Sequence, residues 1–345
     1  MSKARVSIAV GFVVSGAILF WLLSQLDWAT FFRELSRVQL AYLPLFCLVL
    51  VLSQWIRALR WRLLLPSGLK VSTMDLFSAC NLGTLATCVL PLRAGEFVRP
   101  WVLSRKKTVT FSRAFSSIVT ERVFDVLAML TLFVITLGGI ENPPAWAPLC
   151  AKGLAVLATG ILTVMLSAYF RPELVLRVMT RIFDVLFSKR APQLCRKLEE
   201  MGSEFIQGLR AISSAKELLL VVIASYALWF SISLYFYFGL LSFGLDVGFD
   251  VANAVNVFVA LAVAAPSAPG FLGTFQIGCV AALSQMYGYS EEFATAYSVV
   301  LHSLQMIVSV GLGFAMLQYE GMSFAQLRSR GDATLGEQPT PVATA

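Results

Sequence analysis

Apolar residues fall in long runs separated by short polar loops: Val6 to Leu23, Leu40 to Ile56, Leu76 to Leu90, Ala114 to Leu137, Pro148 to Tyr169, Leu218 to Phe243, a run opening at Asp250, and Ala294 to Leu317. Most approach the roughly 20 residues that a helix needs to cross hydrocarbon, so the pattern predicts membrane helices. Between Arg171 and Lys216 the pattern changes. VLRVMTRIFDVLF sets apolar residues at helical spacing against Arg177, Arg181 and Asp184, as in a cytoplasmic amphipathic helix lying on a membrane surface. The first run, behind Lys3 and Arg5, looks like a signal peptide, but Ser24-Gln25-Leu26-Asp27 offers no small-x-small cleavage site. It is read as an uncleaved span. The tail over residues 321–345 is small and polar and is expected to be a disordered cytoplasmic tail.

Two runs are broken, and they are broken alike. Asp75, Asn81, Pro91 and Gly95 match Asp250, Asn256, Pro266 and Gly270, each pair 175 residues apart. Each copy is an apolar run interrupted at P-x-x-x-G. Corresponding hydrophobic segments interrupted by Pro and Gly in two halves of a chain point to an internal repeat and to a transporter-like binding site between its units.

The distribution of charge orients these segments. Lys and Arg gather at the N-terminus, over residues 57–70, 93–113 and 171–216, and at Arg328 and Arg330, whereas residues 245–292 contain none. If both broken runs leave the membrane on the side they entered, all the basic segments fall on one side, and only Arg33 and Arg37 lie on the other. The positive-inside rule then selects about six spans, both termini cytoplasmic, and hairpins entering from opposite faces. The predicted fold is an all-α polytopic membrane protein with about six transmembrane helices plus two broken re-entrant hairpins in an inverted repeat. Residues 1–320 form a single transmembrane domain, with one unit over about 40–139, the other over about 216–318, and the amphipathic segment over 171–215 within it. The expected location is the cytoplasmic (inner) membrane.

Composition narrows the function classes. The chain is 58% hydrophobic and 14% charged, against about 25% charged in soluble domains. Its net charge of +7 sits in loops between apolar runs, which argues for membrane orientation and against a nucleic-acid partner. The six cysteines are scattered without C-x-x-C spacing, and His302 is the only histidine, so no metal site or cofactor is expected.

Candidate chemistry concentrates near the first break. Non-helical backbone at membrane depth must be covered by protein or line a wet cavity, and a half-helix N-terminus there attracts anions. Arg93, Gly95, Glu96 and Arg99 lie in that break. A guanidinium fork suits phosphate oxygens, so Arg93 is read as a substrate contact, and Arg99 as either a contact or a snorkelling interfacial charge. Glu96 either pairs with one of these arginines or is a protonatable coupling site. Glu121, Arg122 and Asp125 lie inside a span; Glu121 and Asp125 share a face and Arg122 reaches Asp125 three residues on. Intramembrane charges are functional candidates by default, the alternative being a self-neutralising cluster near the rim. Arg57, Arg60 and Arg62, interleaved with Trp55 and Trp61, read as a basic and aromatic interfacial anchor, with headgroup recruitment as the second reading. Pro266, Pro269, Gly270, Gly273 and Gln276 break the second run without charge. Asn81 and Asn256 are read chiefly as partners for freed backbone groups, with substrate contact as the second reading. His302 is read chiefly as a hydrogen-bonded packing residue.

Taken together, IRALRWRLLL (Ile56 to Leu65), N-x9-P-x-R-x-G-E-x-x-R (Asn81 to Arg99), ERVFD (Glu121 to Asp125) and PSAPGFLGTFQ (Pro266 to Gln276) resemble the flippase-like family named after the membrane region of lysylphosphatidylglycerol synthase. The likeness runs from about Val6 to Gln318. It implies a membrane protein linked to translocation of lipids or lipid carriers, here expected without an appended synthase domain. One motif departs from the family's P-x-P-G-G-x-G-x-x-E: Ser267 and Ala268 widen the proline spacing, Phe271 replaces a glycine, and Gln276 stands where an acid is common.

Three functions are compatible with these residues. In the first, a lipid translocase, an anionic or phosphate-bearing lipid or lipid-linked precursor enters between inverted hairpins and crosses by alternating access, with membrane lipids as its partners. The second is an integral-membrane enzyme acting on a lipid or polyprenyl phosphate. No nucleophile–base–orienter set, metal cluster or nucleotide loop supports it, so the expectation is that the chain is not an enzyme. The third is a transporter of a small soluble solute, which the repeat alone does not separate from the first.

Overall fold

The computed structural model describes residues 3–24, 26–66, 68–90, 95–106, 109–138, 147–187, 203, 206, 214–264 and 268–327. Pro91, Arg93 and Pro266 therefore lie outside the described residues, as do residues 328–345 of the tail and most of the segment between residues 188 and 213; the start of the tail is described, with Met322 and Leu327 buried. The described chain is helical: α1 Lys3–Ser24, α2 Trp28–Ser36, α3 Leu43–Leu63 after a 3-10 turn at Leu40–Tyr42, α4 Thr73–Val89, α5 Gly95–Ser104, α6 Phe111–Gly138, α7 Ala147–Phe170 and α8 Pro172–Phe187. After the gap come α9 Ala215–Ser242, α10 Phe249–Ala264, a 3-10 turn at Pro269–Phe271, α11 Thr274–Val280 running into a π-turn at Ala281–Met286, and α12 Glu291–Tyr319. This is an all-α membrane protein.

Stretches Leu40–Leu63, Ala215–Ser242 and Glu291–Tyr319 are long and apolar enough to span on length and composition alone. Helices α1, α6 and α7 have 22, 28 and 24 residues, and α6 carries the Glu121–Asp125 charges. α2 is an additional short helix on the side opposite the basic loops. Asp27 caps it by accepting from the Ala29 N–H at 3.1 Å, and Phe31 packs inward in a cluster with Phe243, Phe293 and Tyr297. α8 leaves Leu174, Val178 and Ile182 exposed at a four-residue interval, which forms the apolar stripe of the amphipathic segment.

Both broken runs are hairpins. Arg99 of α5 lies across Gly83 and Cys80 of α4, and Gly95 lies against Gly83 and Thr87, so α5 runs back along α4. The ends then meet: Lys106 Nζ, just after α5, is 3.0 Å from Asp75 Oδ1 in the first turn of α4. In the second hairpin Gly278 abuts Val259, and Tyr287 donates to Asp250 Oδ2 at 3.2 Å, again joining exit to entry. α5, with 10 residues, is too short to cross by itself. Each hairpin ends beside the point where it begins, as a re-entrant segment does. Asp75 and Asp250, matched in sequence, are matched in place at the two mouths. Asp75 also forms a capping box with Ser72, which satisfies free N–H groups of the first turn.

The order α3, α4–α5 hairpin, α6 is repeated as α9, α10–α11 hairpin, α12. α3 and α9 pack antiparallel, with Arg60 beside Ser225 and Phe46 against Tyr235. α4 packs on α12 and α10 on α6, so each hairpin leans on the last helix of the other unit. Equivalent helices that run antiparallel make the two units inverted.

The second break is closed by polar groups from several elements. The Ala268 N–H donates to Ser15 Oγ of α1 at 2.8 Å, and the Gly273 N–H donates to Gln276 Oε1 at 2.8 Å. His302 Nε2 meets the Gly270 carbonyl at 2.8 Å, and its other ring nitrogen meets Gln276 Nε2 at 3.1 Å. Because Gln276 Oε1 accepts from Gly273, its amide nitrogen faces the ring. His302 Nδ1 is then the acceptor and Nε2–H the donor, so the ring is held neutral. This places His302 as a bracket on the break as well as a packing residue, stacked 4.4 Å from the Phe275 ring.

Phe271 has φ 63°, the only non-glycine among the described residues with positive φ, between Gly270 and Gly273 at 70° and 85°. The family motif's glycine is missing from the position whose backbone favours one. L-residues pay about 1–2 kcal/mol in this conformation, so Phe271→Gly should raise the melting temperature in detergent, read by thermal unfolding. Unchanged or lower stability would show that packing of the ring outweighs the backbone strain.

A rim contact joins the two units. Lys106 Nζ bridges Asp75 and, at 2.8 Å, Glu320 just beyond α12. Partial burial alone would raise the Asp75 pKa, but hydrogen bonds from Lys106 and Ser72 outweigh it and hold the carboxyl below its usual value. A lowered pKa contributes stability above the unfolded-state value, near 3.9, and that stability is lost as pH falls through the folded value. In Lys106→Met the acid limb of the stability–pH profile should therefore begin at higher pH, measured by melting temperature between neutral pH and pH 3.

Candidate functional site

α3, α5 and α6 bring one arginine-rich cluster together beneath the first hairpin. Its centre is Glu121, completely buried on α6. Arg99 of α5 binds it in a two-pronged fork, Nη1 to Oε1 at 3.0 Å and Nη2 to Oε2 at 3.1 Å. Arg60 Nη2 of α3 lies 2.9 Å from Oε1, and Arg122 Nη2 donates to the same oxygen at 2.9 Å. Asp125, one turn on, receives Arg60 Nη1 and the indole N–H of Trp229 at 3.1 Å, with Arg122 Nη2 at 3.3 Å. Two carboxylates thus hold three guanidiniums.

Neutral groups complete the shell. The Arg99 guanidinium stacks 4.5 Å from the Trp61 ring, and Trp61 donates to Ser117 Oγ at 2.8 Å. Stacking on an aromatic face is favourable for a desolvated guanidinium. Arg99 Nη2 also lies 3.3 Å from Cys80 Sγ, and Arg60 Nη1 lies 3.4 Å from Ser225 Oγ. Gly83 makes this geometry attainable: a Cβ there would meet Arg99 Cγ at 2.3 Å. A Cβ on Gly95 would meet the Gly83 carbonyl at 2.0 Å, so Gly95 is a close-packing residue at the crossing of α4 and α5.

The predicted residues separate as follows. Arg99, Glu121, Arg122 and Asp125 come together, and the i, i+3 pair of Arg122 and Asp125 is formed. Glu96 is half-exposed; among the described residues its partner is Arg122, at 3.9 Å, and not Arg99. Asn81 is fully buried and donates to the Phe77 carbonyl at 2.8 Å. Asn256 donates to the Trp229 carbonyl at 3.2 Å and to Ser233 Oγ at 2.9 Å, as a partner for backbone. Gly270 and Gln276 belong to the second break and stand apart from the charges. Arg93 and Pro266 lie outside the described residues.

The interfacial-anchor reading of Arg57, Arg60 and Arg62 is corrected at Arg60. Arg60 is completely buried and charge-paired, while Arg62 turns to the Leu69 carbonyl at 3.0 Å. A basic run at the end of an apolar helix is what an anchor looks like, and the signal that distinguishes Arg60 is its carboxylate partners some 60 residues on. Trp229 and Ser225, on the other unit, had no motif to reveal them.

The fold and cluster define a class: a polytopic all-α membrane protein with two inverted units and ionised side chains inside the bundle. The chain belongs to the lysylphosphatidylglycerol synthase TM region family, whose model matches residues 8–313. It is 23% identical over 338 residues to a protein named Glycosyltransferase AglD from Haloferax volcanii, covering 89% of this chain and 53% of that protein. It thus spans about half the length of that relative. It is 23% identical to a UPF0104 membrane protein of Methanothermobacter thermautotrophicus, covering 82% of this chain and 88% of the relative. A UPF0104 membrane protein of Methanocaldococcus jannaschii is 25% identical, covering 67% and 92%. No solved structure matches. The expectation that the chain is not an enzyme is corrected by the first of these relatives, which carries a glycosyltransferase's name over most of the present chain.

Removing one member of a buried ion pair leaves its partner uncompensated, at about 3–5 kcal/mol. Glu121→Gln should destabilise the protein on that scale. Arg99→Met in the same background should recover part of the loss, giving a coupling of at least about 1 kcal/mol in a double-mutant cycle read by denaturant unfolding. Additive effects would show that the fork contributes no net interaction.

Proposed function

We propose that the protein moves an anionic or phosphate-bearing lipid, or a lipid-linked precursor, across the cytoplasmic membrane. The lipid enters between the two inverted hairpins and crosses by alternating access, with both termini on the cytoplasmic side. The observation that carries this reading is the excess of arginine in the cluster among the described residues: Arg57, Arg60, Arg99 and Arg122 gather about Glu96, Glu121 and Asp125, with Arg60, Arg99, Glu121 and Asp125 buried. Intramembrane charge is costly and marks pathways, and a surplus of guanidinium suits an anionic oxygen. Paired re-entrant breaks in inverted units favour transport across the bundle. The basic loops on one side support the orientation.

A second reading is supported by the relative named as a glycosyltransferase: the same cluster holds a lipid-linked phosphate while a sugar is transferred to or from it. Both readings need a site for lipid phosphate within the membrane, and they differ in whether a glycosyl bond changes.

The test is movement of headgroup-labelled lipids in proteoliposomes, with wild type beside Arg93→Ala and Arg122→Ala, and a parallel assay for radiolabelled sugar transfer between nucleotide sugar and short-chain lipid phosphate. Accelerated movement of anionic lipid, reduced at least about 10-fold in the variants, is the expected result. Sugar transfer without lipid movement would establish the second reading. Uptake of a water-soluble solute with no lipid moved would overturn both.

A further inference from the structure

We infer that Arg57, with Gln54 one turn before it on α3, is the pair that receives the phosphate of the membrane-borne ligand, while Arg60, Arg99 and Arg122 serve as scaffold. The inference rests on the translocase reading and assigns its headgroup contact.

The four arginines of the cluster are not equivalent. Arg60 is sealed from solvent and divided between Glu121 and Asp125. Arg99 commits both terminal nitrogens to Glu121 and one face to Trp61. Arg122 reaches Glu121, Asp125 and Glu96. Arg57 alone of the four has no carboxylate within ion-pair distance and no hydrogen-bond acceptor among the described residues; its Nε, like those of Arg60, Arg99 and Arg122, is shielded from solvent without a partner. Its side chain is half-buried, so a ligand can reach it where Arg60 is closed off.

Gln54 adds an independent sign. Its Oε1 is likewise shielded and has no donor. Residues three apart on a helix are neighbours, so an orphan donor and an orphan acceptor lie side by side. An anionic phosphate oxygen beside a hydroxyl, either P–OH of a monoester or a hydroxylated headgroup, satisfies both at once: Arg57 donates to the oxygen and the hydroxyl donates to Gln54. A bare carboxylate leaves Gln54 without a donor.

Position favours a lipid source over free phosphate. Arg57 is six residues before the end of α3, about 9 Å along the axis at 1.5 Å per residue. It is one turn further into the bundle than Arg60. The opposite face of α3 is apolar and outward-facing, with Leu52, Trp55 and Leu59 exposed, so Arg57 shares the face that carries the buried Ser53, Arg60 and Trp61. A phosphate at that depth is one carried by a lipid whose tails stay in hydrocarbon.

The experiment measures binding of short-chain (dioctanoyl) phosphatidic acid and of inorganic phosphate to the purified full chain in nanodiscs, by tryptophan fluorescence. Wild type, Arg57→Ala, Arg57→Lys and Gln54→Leu are compared, with thermal melting on each. The expected result is lipid binding weakened about 10- to 100-fold in Arg57→Ala, less in Arg57→Lys, with melting temperature unchanged because Arg57 ties no other element. Wild-type affinity in a folded Arg57→Ala overturns the assignment while leaving the translocase reading standing. Inorganic phosphate bound as tightly as the lipid, and lost in Arg57→Ala, overturns the lipid source. A wild type that binds neither overturns the translocase reading and this assignment together.

Discussion

Three guanidiniums on two buried carboxylates hold the first unit in shape. Glu121 ties α5 to α6 through Arg99 and α3 to α6 through Arg60, and Asp125 repeats the second tie one turn away. None of these charges is tolerable alone at this depth, because each loses several kcal/mol of hydration on burial and regains it only from its partners. The arrangement therefore stands or falls as a group. It also explains local features that look unrelated: the missing side chain at Gly83, over which Arg99 passes, the indole under Arg99, and the hydroxyl of Ser117 that fixes that indole.

The second unit meets the same topological demand with neutral groups. Where α5 and α6 are joined by Arg99 and Glu121, the corresponding α11 and α12 are joined by Gln276 and His302. Ser15 of α1, outside either unit, supplies the acceptor for a backbone N–H freed at the break. Non-helical backbone at this depth survives only where such partners exist. The inverted repeat is thus symmetric in path and asymmetric in chemistry. Its charged half is the first, and the second break is held by the neutral Gln276 and His302.

Much of the path was legible because it depends on local pattern. Apolar run lengths gave the helices, P-x-x-x-G gave the two hairpins, and one charge asymmetry gave their opposite insertion. Asp75 and Asp250 were matched in register and do occupy equivalent mouths. The parts that escaped depend on distant partners. Arg60 is three residues from Arg57 and two from Arg62, and nothing in that run says that only the middle one is sealed between α6 carboxylates. Ser15 sits in an unremarkable apolar span, and its role needs a strand of backbone some 250 residues away. Among the described residues Glu96 meets Arg122, a neighbour set by helix packing that the break's own sequence does not reveal, while Arg99 is committed to Glu121.

The strong polar contacts are unevenly distributed between the two units. Among the described residues, every buried ion pair lies within the first unit. Links between units are lighter: the indole of Trp229 on Asp125, the long contact of Arg60 with Ser225, and Asn253 with Thr136 and the Leu132 carbonyl. Among the described residues, the ion pair that crosses is Lys106 with Glu320, at the end of the bundle. Neutral hydrogen bonds of this kind contribute about 1 kcal/mol each, against about 3–5 for breaking a buried pair. The strong polar contacts are thus concentrated in the first unit, while the seam between units is held by apolar packing of α3 on α9 and α4 on α12 together with these lighter hydrogen bonds.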